Sequence, residues 1–196
     1  MLRLTALSAA AFFAATAPAF AHLNPGEHGS FAAGLSHPLF GLDHILAMVA
    51  VGLWAAMLGG RALFAVPAAF VGTMIAGFLL ALFGLSLPFV EPVILASVVV
   101  LGLIVAMAVR LPAAAGAVLV GAFALFHGYA HGTELGAASA LSYLLGFALA
   151  TAGLHAAGIG IGLVLGGGRS RPGIALARGL GGATAAAGIA LFAGVL

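Results

Sequence analysis

Charged residues make up only 5% of this 196-residue chain, whereas a soluble domain carries about 25%. So few charges cannot cover a water-facing surface, and 64% of the residues are hydrophobic. This composition excludes a soluble enzyme, a nucleic-acid-binding protein and a disordered chain. It predicts an all-α integral membrane protein, because helices satisfy their own backbone hydrogen bonds inside lipid.

Residues 1–21 have the features of a signal peptide. Arg3 supplies the positive start, an apolar stretch ends at Pro18, and residues 19–21 form an Ala-x-Ala cleavage site. We expect cleavage, which makes residues 22–196 the mature protein with its N-terminus on the periplasmic side of a bacterial inner membrane. The alternative is a retained first membrane span.

The mature segment divides into six apolar runs that approach the roughly 20 residues a membrane-spanning helix needs. Short breaks rich in Gly, Pro and Arg separate them, and none is long enough to form a soluble domain. The prediction is therefore one compact bundle of six transmembrane helices. Its spans cover residues 36–58, 61–85, 88–109, 112–134, 139–165 and 173–195.

The arginines predict the orientation of this bundle. With an external N-terminus, the arginines of the mature segment fall on or near cytoplasmic connections, as the positive-inside rule expects. Glu27, Glu91 and Glu134 fall at or near the outer side, which suits an entrance for cations. Ordinary charge asymmetry without a cargo is the alternative. The arginines concerned are Arg61, Arg110, Arg169, Arg171 and Arg178.

Seven histidines outnumber the four acidic residues, and most lie in two motifs. The first motif is HPLFGLDH, at the outer end of span one. A straight helix places His37 and His44 about 10 Å apart, too far for one metal ion. The proline and glycine inside the motif can distort the helix and bring His37 back toward Asp43 and His44.

The second motif is FHGYAHGTE, at the end of span four. His127 and His131 are four residues apart and Glu134 follows three later, so all three share one helical face. Spans one and four run in opposite directions, which brings both motifs to the outer side. The alternative is that these histidines only hydrogen-bond between helices. We predict a metal site formed by His37, Asp43, His44, His127, His131 and Glu134.

The ligand types restrict the metal. Imidazole and carboxylate groups without any cysteine suit a late first-row divalent ion such as nickel, cobalt or zinc, and do not separate these three. We expect no permanently bound cofactor. The chain has no G-x-x-x-x-G-K-[ST] sequence, so we expect no nucleotide partner.

Four further residues are candidates for supporting roles. Glu91 can supply another carboxylate or hydrogen-bond a liganding imidazole. His155 lies in the inner half of span five, as a waypoint toward the cytoplasm or as a helix–helix hydrogen bond. His22 and His28 can capture metal at the entrance, unless this terminus is disordered.

The first motif, with the ILAMVAVG sequence that follows it, closely resembles the first-span signature of the HupE/UreJ family of nickel/cobalt permeases. The second motif resembles that family's second signature, and the similarity covers essentially the whole chain. It implies secondary transport of Ni²⁺ or Co²⁺ toward the cytoplasm for hydrogenase or urease maturation, and no enzymatic activity. By position it points to the six predicted ligands and, more weakly, to Phe70 and Glu91.

Three other interpretations stay open at this point. Facing helical histidines can bind haem b, although the adjacent carboxylates disfavour it, and a visible spectrum would decide. A membrane metallohydrolase would show metal-dependent turnover, but the chain has no H-E-x-x-H sequence. A non-transporting assembly partner would leave both metal motifs without a purpose.

Overall fold

The structure, a computed structural model, describes residues 29–135 and 139–196. The predicted signal peptide, His22 and His28 lie outside the described residues. All regular secondary structure in the described part is helical, which confirms the all-α prediction. Its seven helices are α1 (Gly29–Phe40), α2 (Leu42–Leu58), α3 (Ala62–Leu82), α4 (Val90–Ala106), α5 (Ala113–Thr133), α6 (Ala140–Val164) and α7 (Arg171–Phe192).

Four of these helices, α3, α5, α6 and α7, are long and apolar enough to cross a membrane. Helices α1 and α2 qualify together as a fifth, broken span bent by 80°. Helix α4 has 17 residues and is about 26 Å long, which is shorter than a typical hydrocarbon core of about 30 Å. The described chain is thus built as a multi-pass membrane protein, whereas the predicted count of six spans is not confirmed.

The predicted single span over residues 36–58 is wrong at its start. A separate helix, α1, ends at Phe40, and the chain turns sharply at Gly41 before α2 begins. Gly41 has an extended conformation (φ −84°, ψ 114°), which interrupts the helical backbone. Pro38 lies inside α1, two residues before that helix ends. As a result, His37 and His44 lie on two different helices.

Apolar side chains occupy both the interior and the outer surface of the bundle. Trp54, Phe70 and Phe147 are fully buried and belong to one hydrophobic core. Large apolar residues also cover the outside, where Phe64 is 74% and Val164 is 87% exposed. An apolar exterior around a packed interior is what lipid-facing helices require.

Glycines allow the closest helix contacts. A Cβ added at Gly128 would run into the backbone carbonyl of Met74, so α5 packs directly on α3. A Cβ added at Gly158 would likewise run into the backbone carbonyl of Val49, where α6 packs on α2. Small residues at four-residue spacing commonly permit such approach. Gly166, although in register with Gly158, lies beyond the end of α6 with φ +92° and serves a turn instead.

The two ends of the bundle differ in charge. The connections α2–α3, α4–α5 and α6–α7 lie at one end and carry the arginines, where Arg110 Nη2 donates to the Gly168 carbonyl at 3.0 Å. Arg178 Nε donates to the carbonyl of Ala106, the last residue of α4, at 2.7 Å. The opposite end holds the break at Gly41 and the C-terminal end of α5, so both histidine motifs lie there.

Candidate metal centre

The two histidine motifs meet inside the bundle. His44, near the start of α2, and His131, near the end of α5, place their Nε2 atoms 2.6 Å apart. The His37 ring centroid lies 4.5 Å from that of His131, and the His127 centroid lies 5.0 Å from that of His44. Four imidazoles from three helices therefore form one contiguous cluster.

The outer part of this cluster combines His37, His131 and Glu134. Each offers a ligand atom, and these atoms all lie within 4.8 Å of one another. Glu134 Oε2 is 3.7 Å from His37 Nε2 and 3.6 Å from His131 Nδ1, too far for hydrogen bonds. The Glu134 side chain is 57% exposed and that of His131 only 2%, so the group connects the surface with the interior.

Asp43 holds His44 in a defined tautomer. Its Oδ1 lies 2.9 Å from His44 Nδ1 and, as a carboxylate oxygen, accepts the Nδ1–H. The His44 Nε2 atom then carries the lone pair and faces His131. Asp43 lies outside the group of three close ligand atoms, and its contact is the carboxylate–histidine pairing found behind many metal ligands.

Gly41 leaves room for this pairing. A Cβ at position 41 would stand 2.9 Å from both Asp43 Oδ1 and His44 Nδ1. Because real Cβ atoms almost never approach so closely, any other residue would displace the pair. The same glycine thus ends α1 and leaves room for the His44–Asp43 hydrogen bond.

His127 lies one turn of α5 below His131 and is fully buried. Its Nε2 is 3.0 Å from the hydroxyl of Ser97 on α4, a contact that sequence reasoning missed because a single serine in an apolar helix gives no signal. Glu91, the residue predicted to serve this role from the same helix, is exposed in the first turn of α4. In the described residues, α4 reaches the histidines through Ser97.

Aromatic side chains surround the imidazoles. The Phe147 ring centroid is 4.2 Å from that of His131. Phe70, fully buried on α3, lies between two histidines, with centroids 5.6 Å from His127 and 5.0 Å from His155. Phe70 is thus placed where the cluster meets the deeper interior.

His155 is buried without a hydrogen-bond partner. It is 1% exposed, and neither ring nitrogen has a partner in the part of the chain that the structure describes. Phe147, Thr151 and His155 follow at four-residue spacing on α6, which places His155 about 12 Å further along the helix than Phe147. An unsatisfied buried polar group costs about 1–3 kcal/mol, so this position needs a reason other than stability.

Comparisons with known proteins identify the family of this chain. The family described as HupE / UreJ protein matches residues 10–191, a range that includes both histidine motifs. Protein HupE of Rhizobium leguminosarum bv. viciae is 51% identical over 146 residues, which are 74% of this chain and 76% of that protein. No solved structure matches the chain significantly. The chain therefore belongs to the HupE / UreJ family.

Proposed function

We propose that this protein is a permease that moves Ni²⁺, or Co²⁺, from the periplasm to the cytoplasm for hydrogenase or urease maturation. The convergence of four imidazoles and Glu134 from three helices of an apolar bundle carries this proposal. Ionisable groups inside a membrane are costly and usually mark a substrate or ion pathway. A divalent cation compensates the carboxylates and uses the imidazole lone pairs. Membership of the HupE / UreJ family supports the choice of metal.

The proposed topology has six spans after a cleaved signal peptide. It counts the broken pair α1–α2 as one span and the short α4 as another. The arginine-bearing end then faces the cytoplasm, in agreement with the positive-inside rule. The histidine end then faces the periplasm, which is the side proposed for the mature N-terminus.

Capture begins at the exposed carboxylates. Glu134 and Glu91 both lie at the histidine end and are open to solvent. Negative charge at an entrance raises the local concentration of cations. The ion exchanges water for Glu134, His37 and the Nδ1 atom of His131, which are the three close ligands of the outer group.

His131 provides the next step, because its two nitrogens face different partners. Nδ1 faces Glu134 and Nε2 faces His44. A cation can therefore pass from one side of this ring to the other while an imidazole remains close. His127 and then His155 continue the series inward, with Phe70 between them.

Affinity along this series must stay modest, since transport requires release as well as capture. All candidate ligands are nitrogen or oxygen atoms, which suit nickel, cobalt and zinc. The protein acts as a secondary transporter, without nucleotide and without an enzymatic step of its own.

The close contact between His44 and His131 argues against haem binding at this pair. Axial ligands stand on opposite faces of a porphyrin, with the iron between them. The Nε2 atoms of His44 and His131 are only 2.6 Å apart, which leaves no room for iron and a macrocycle. The close carboxylate of Glu134 adds a ligand that haem binding does not use.

Uptake of radiolabelled Ni²⁺ into proteoliposomes tests this function. We expect saturable uptake that excess Co²⁺ inhibits, with Zn²⁺ as a second competitor to establish selectivity. Repeating the assay with and without an imposed pH gradient identifies the energy coupling. Uptake no faster than in protein-free liposomes would contradict the proposal.

A further inference from the structure

The hydroxyl group of Ser97 has two polar neighbours. Ser97 is fully buried on α4, and its Oγ lies 2.6 Å from the Ile94 carbonyl oxygen and 3.0 Å from His127 Nε2. A carbonyl oxygen only accepts hydrogen bonds, and a serine hydroxyl has one proton to donate. The shorter contact uses that proton, so Ser97 donates to Ile94 and accepts from His127.

This direction fixes the tautomer of His127. To donate to Ser97, the imidazole must carry its proton on Nε2. A neutral imidazole has one N–H, so Nδ1 carries the lone pair. Nδ1 is buried and has no hydrogen-bond partner among residues 29–135 and 139–196. A buried acceptor left in this condition is unfavourable, unless a ligand uses it.

The surroundings of His127 belong to the cation cluster. Its ring meets that of His44 at 90° with centroids 5.0 Å apart, and Phe70 lies on its deeper side. The tautomer of His44 is fixed in the same way but is the opposite one. Asp43 accepts the Nδ1–H of His44, so the lone pair is on Nε2. Two helices thus each present one imidazole whose free nitrogen is selected by a neighbouring acceptor.

We propose that Ser97 is a positioning residue that holds His127 as the Nε2–H tautomer, so that the buried Nδ1 is a ligand atom for the transported divalent cation. This inference rests on the proposed function. It adds a ligand atom below the outer group and gives α4 an indirect part in the pathway, through His127. Partners that orient a liganding histidine in this way typically contribute 10–100-fold in metal affinity.

The tautomer is measurable without metal. In full-length protein carrying ¹⁵N-labelled histidine, NMR distinguishes Nε2–H from Nδ1–H imidazoles, and the His127→Ala variant assigns the signal. We expect Nε2–H in the wild type and in Ser97→Thr, which keeps a hydroxyl. Ser97→Ala is expected to lose this preference. An Nδ1–H signal for wild-type His127 would overturn the inference.

Metal binding and uptake provide the second measurement. Ser97→Ala is expected to weaken Ni²⁺ binding to the purified protein at least about tenfold, and to slow Ni²⁺ uptake, whereas Ser97→Thr restores both in part. Thr73→Ala is the matched control, because the Thr73 hydroxyl bonds only to carbonyls of its own helix. Unchanged affinity in Ser97→Ala, or weaker binding with an unchanged tautomer, would overturn the positioning role.

Different outcomes would overturn the proposed function and the role of Ser97. Wild-type protein with the Nε2–H signal but no Ni²⁺ binding would overturn the proposed function, and with it the ligand assignment. Wild-type protein that binds and transports Ni²⁺ while His127 is the Nδ1–H tautomer would overturn the inference alone.

Discussion

The Nε2 atoms of His44 and His131 lie 2.6 Å apart, although 87 positions separate the two residues in the chain. The contact exists because α2 begins, and α5 ends, at the same end of the bundle. His131 Nδ1 faces Glu134 at 3.6 Å, so this one ring joins the exposed carboxylate to the buried histidines. The cluster thus leads from the surface into the bundle.

Replacing Glu134 by Gln should weaken Ni²⁺ binding at least about tenfold, because the outer group loses its only negative ligand. The side chain is 57% exposed, so folding should be unaffected. Titration calorimetry on the purified protein measures the affinity. Thr133→Ala serves as the control, since that hydroxyl donates to the Ala130 carbonyl within its own helix. Equal affinities of Glu134→Gln and the wild type would contradict the outer group.

Gly41→Ala should reduce Ni²⁺ uptake strongly, because the added Cβ displaces the Asp43–His44 pair. His44 then loses the acceptor that selects its tautomer, a loss expected to cost 10–100-fold in metal affinity. Gly153→Ala on α6 is the matched control, as a Cβ there meets no atom of the described residues within 4 Å. Wild-type uptake by the Gly41→Ala variant would show that the pairing is not needed.

Gly128→Ala should lower the thermal stability of the protein in detergent. The new Cβ collides with the Met74 carbonyl, and overpacking of this kind costs about 1–3 kcal/mol when the backbone can adjust. Gly72→Ala, on the α3 side that faces open space, should leave the melting temperature near the wild-type value. Equal melting temperatures of the two variants would show that the close α3–α5 contact at Gly128 does not contribute to stability.

His155→Leu should raise the stability of the protein and lower its Ni²⁺ uptake. Removing two unsatisfied ring nitrogens is expected to stabilise the protein by about 1–3 kcal/mol, while Ni²⁺ uptake falls because the inner waypoint is lost. Thermal melting and uptake are measured on the same preparation. Leu149→Ala, at a 58% exposed position on the same helix, controls for general effects on α6. Greater stability with undiminished uptake would mean that His155 lies off the pathway.

Much of the fold was predictable because lipid imposes a simple rule on sequence. Long apolar runs separated by Gly, Pro and Arg predict helices, and the observed bounds of α5 and α6 differ from the predicted ones by about one residue at each end. The break at Gly41 was harder to place. Sequence indicated a distortion near the proline and glycine, but not a separate helix that begins at Gly29.

The site was predictable where its chemistry is local. His127, His131 and Glu134 share a helical face by spacing alone, and the structure brings His131 and Glu134 together with His37. Contacts between helices that are distant in the sequence leave no pattern of residue spacing. The sequence pattern therefore does not indicate Ser97. The middle of α4 reaches the cluster, rather than its first turn at Glu91.

The most direct test compares Ni²⁺ uptake by the wild type with that of His44→Ala and His131→Ala in proteoliposomes that contain equal amounts of inserted protein. Both variants remove one side of the 2.6 Å contact at the centre of the cluster. Wild-type vesicles are expected to accumulate Ni²⁺, and uptake by both variants is expected to fall to the level of protein-free vesicles. Wild-type rates of uptake in both variants would contradict this expectation.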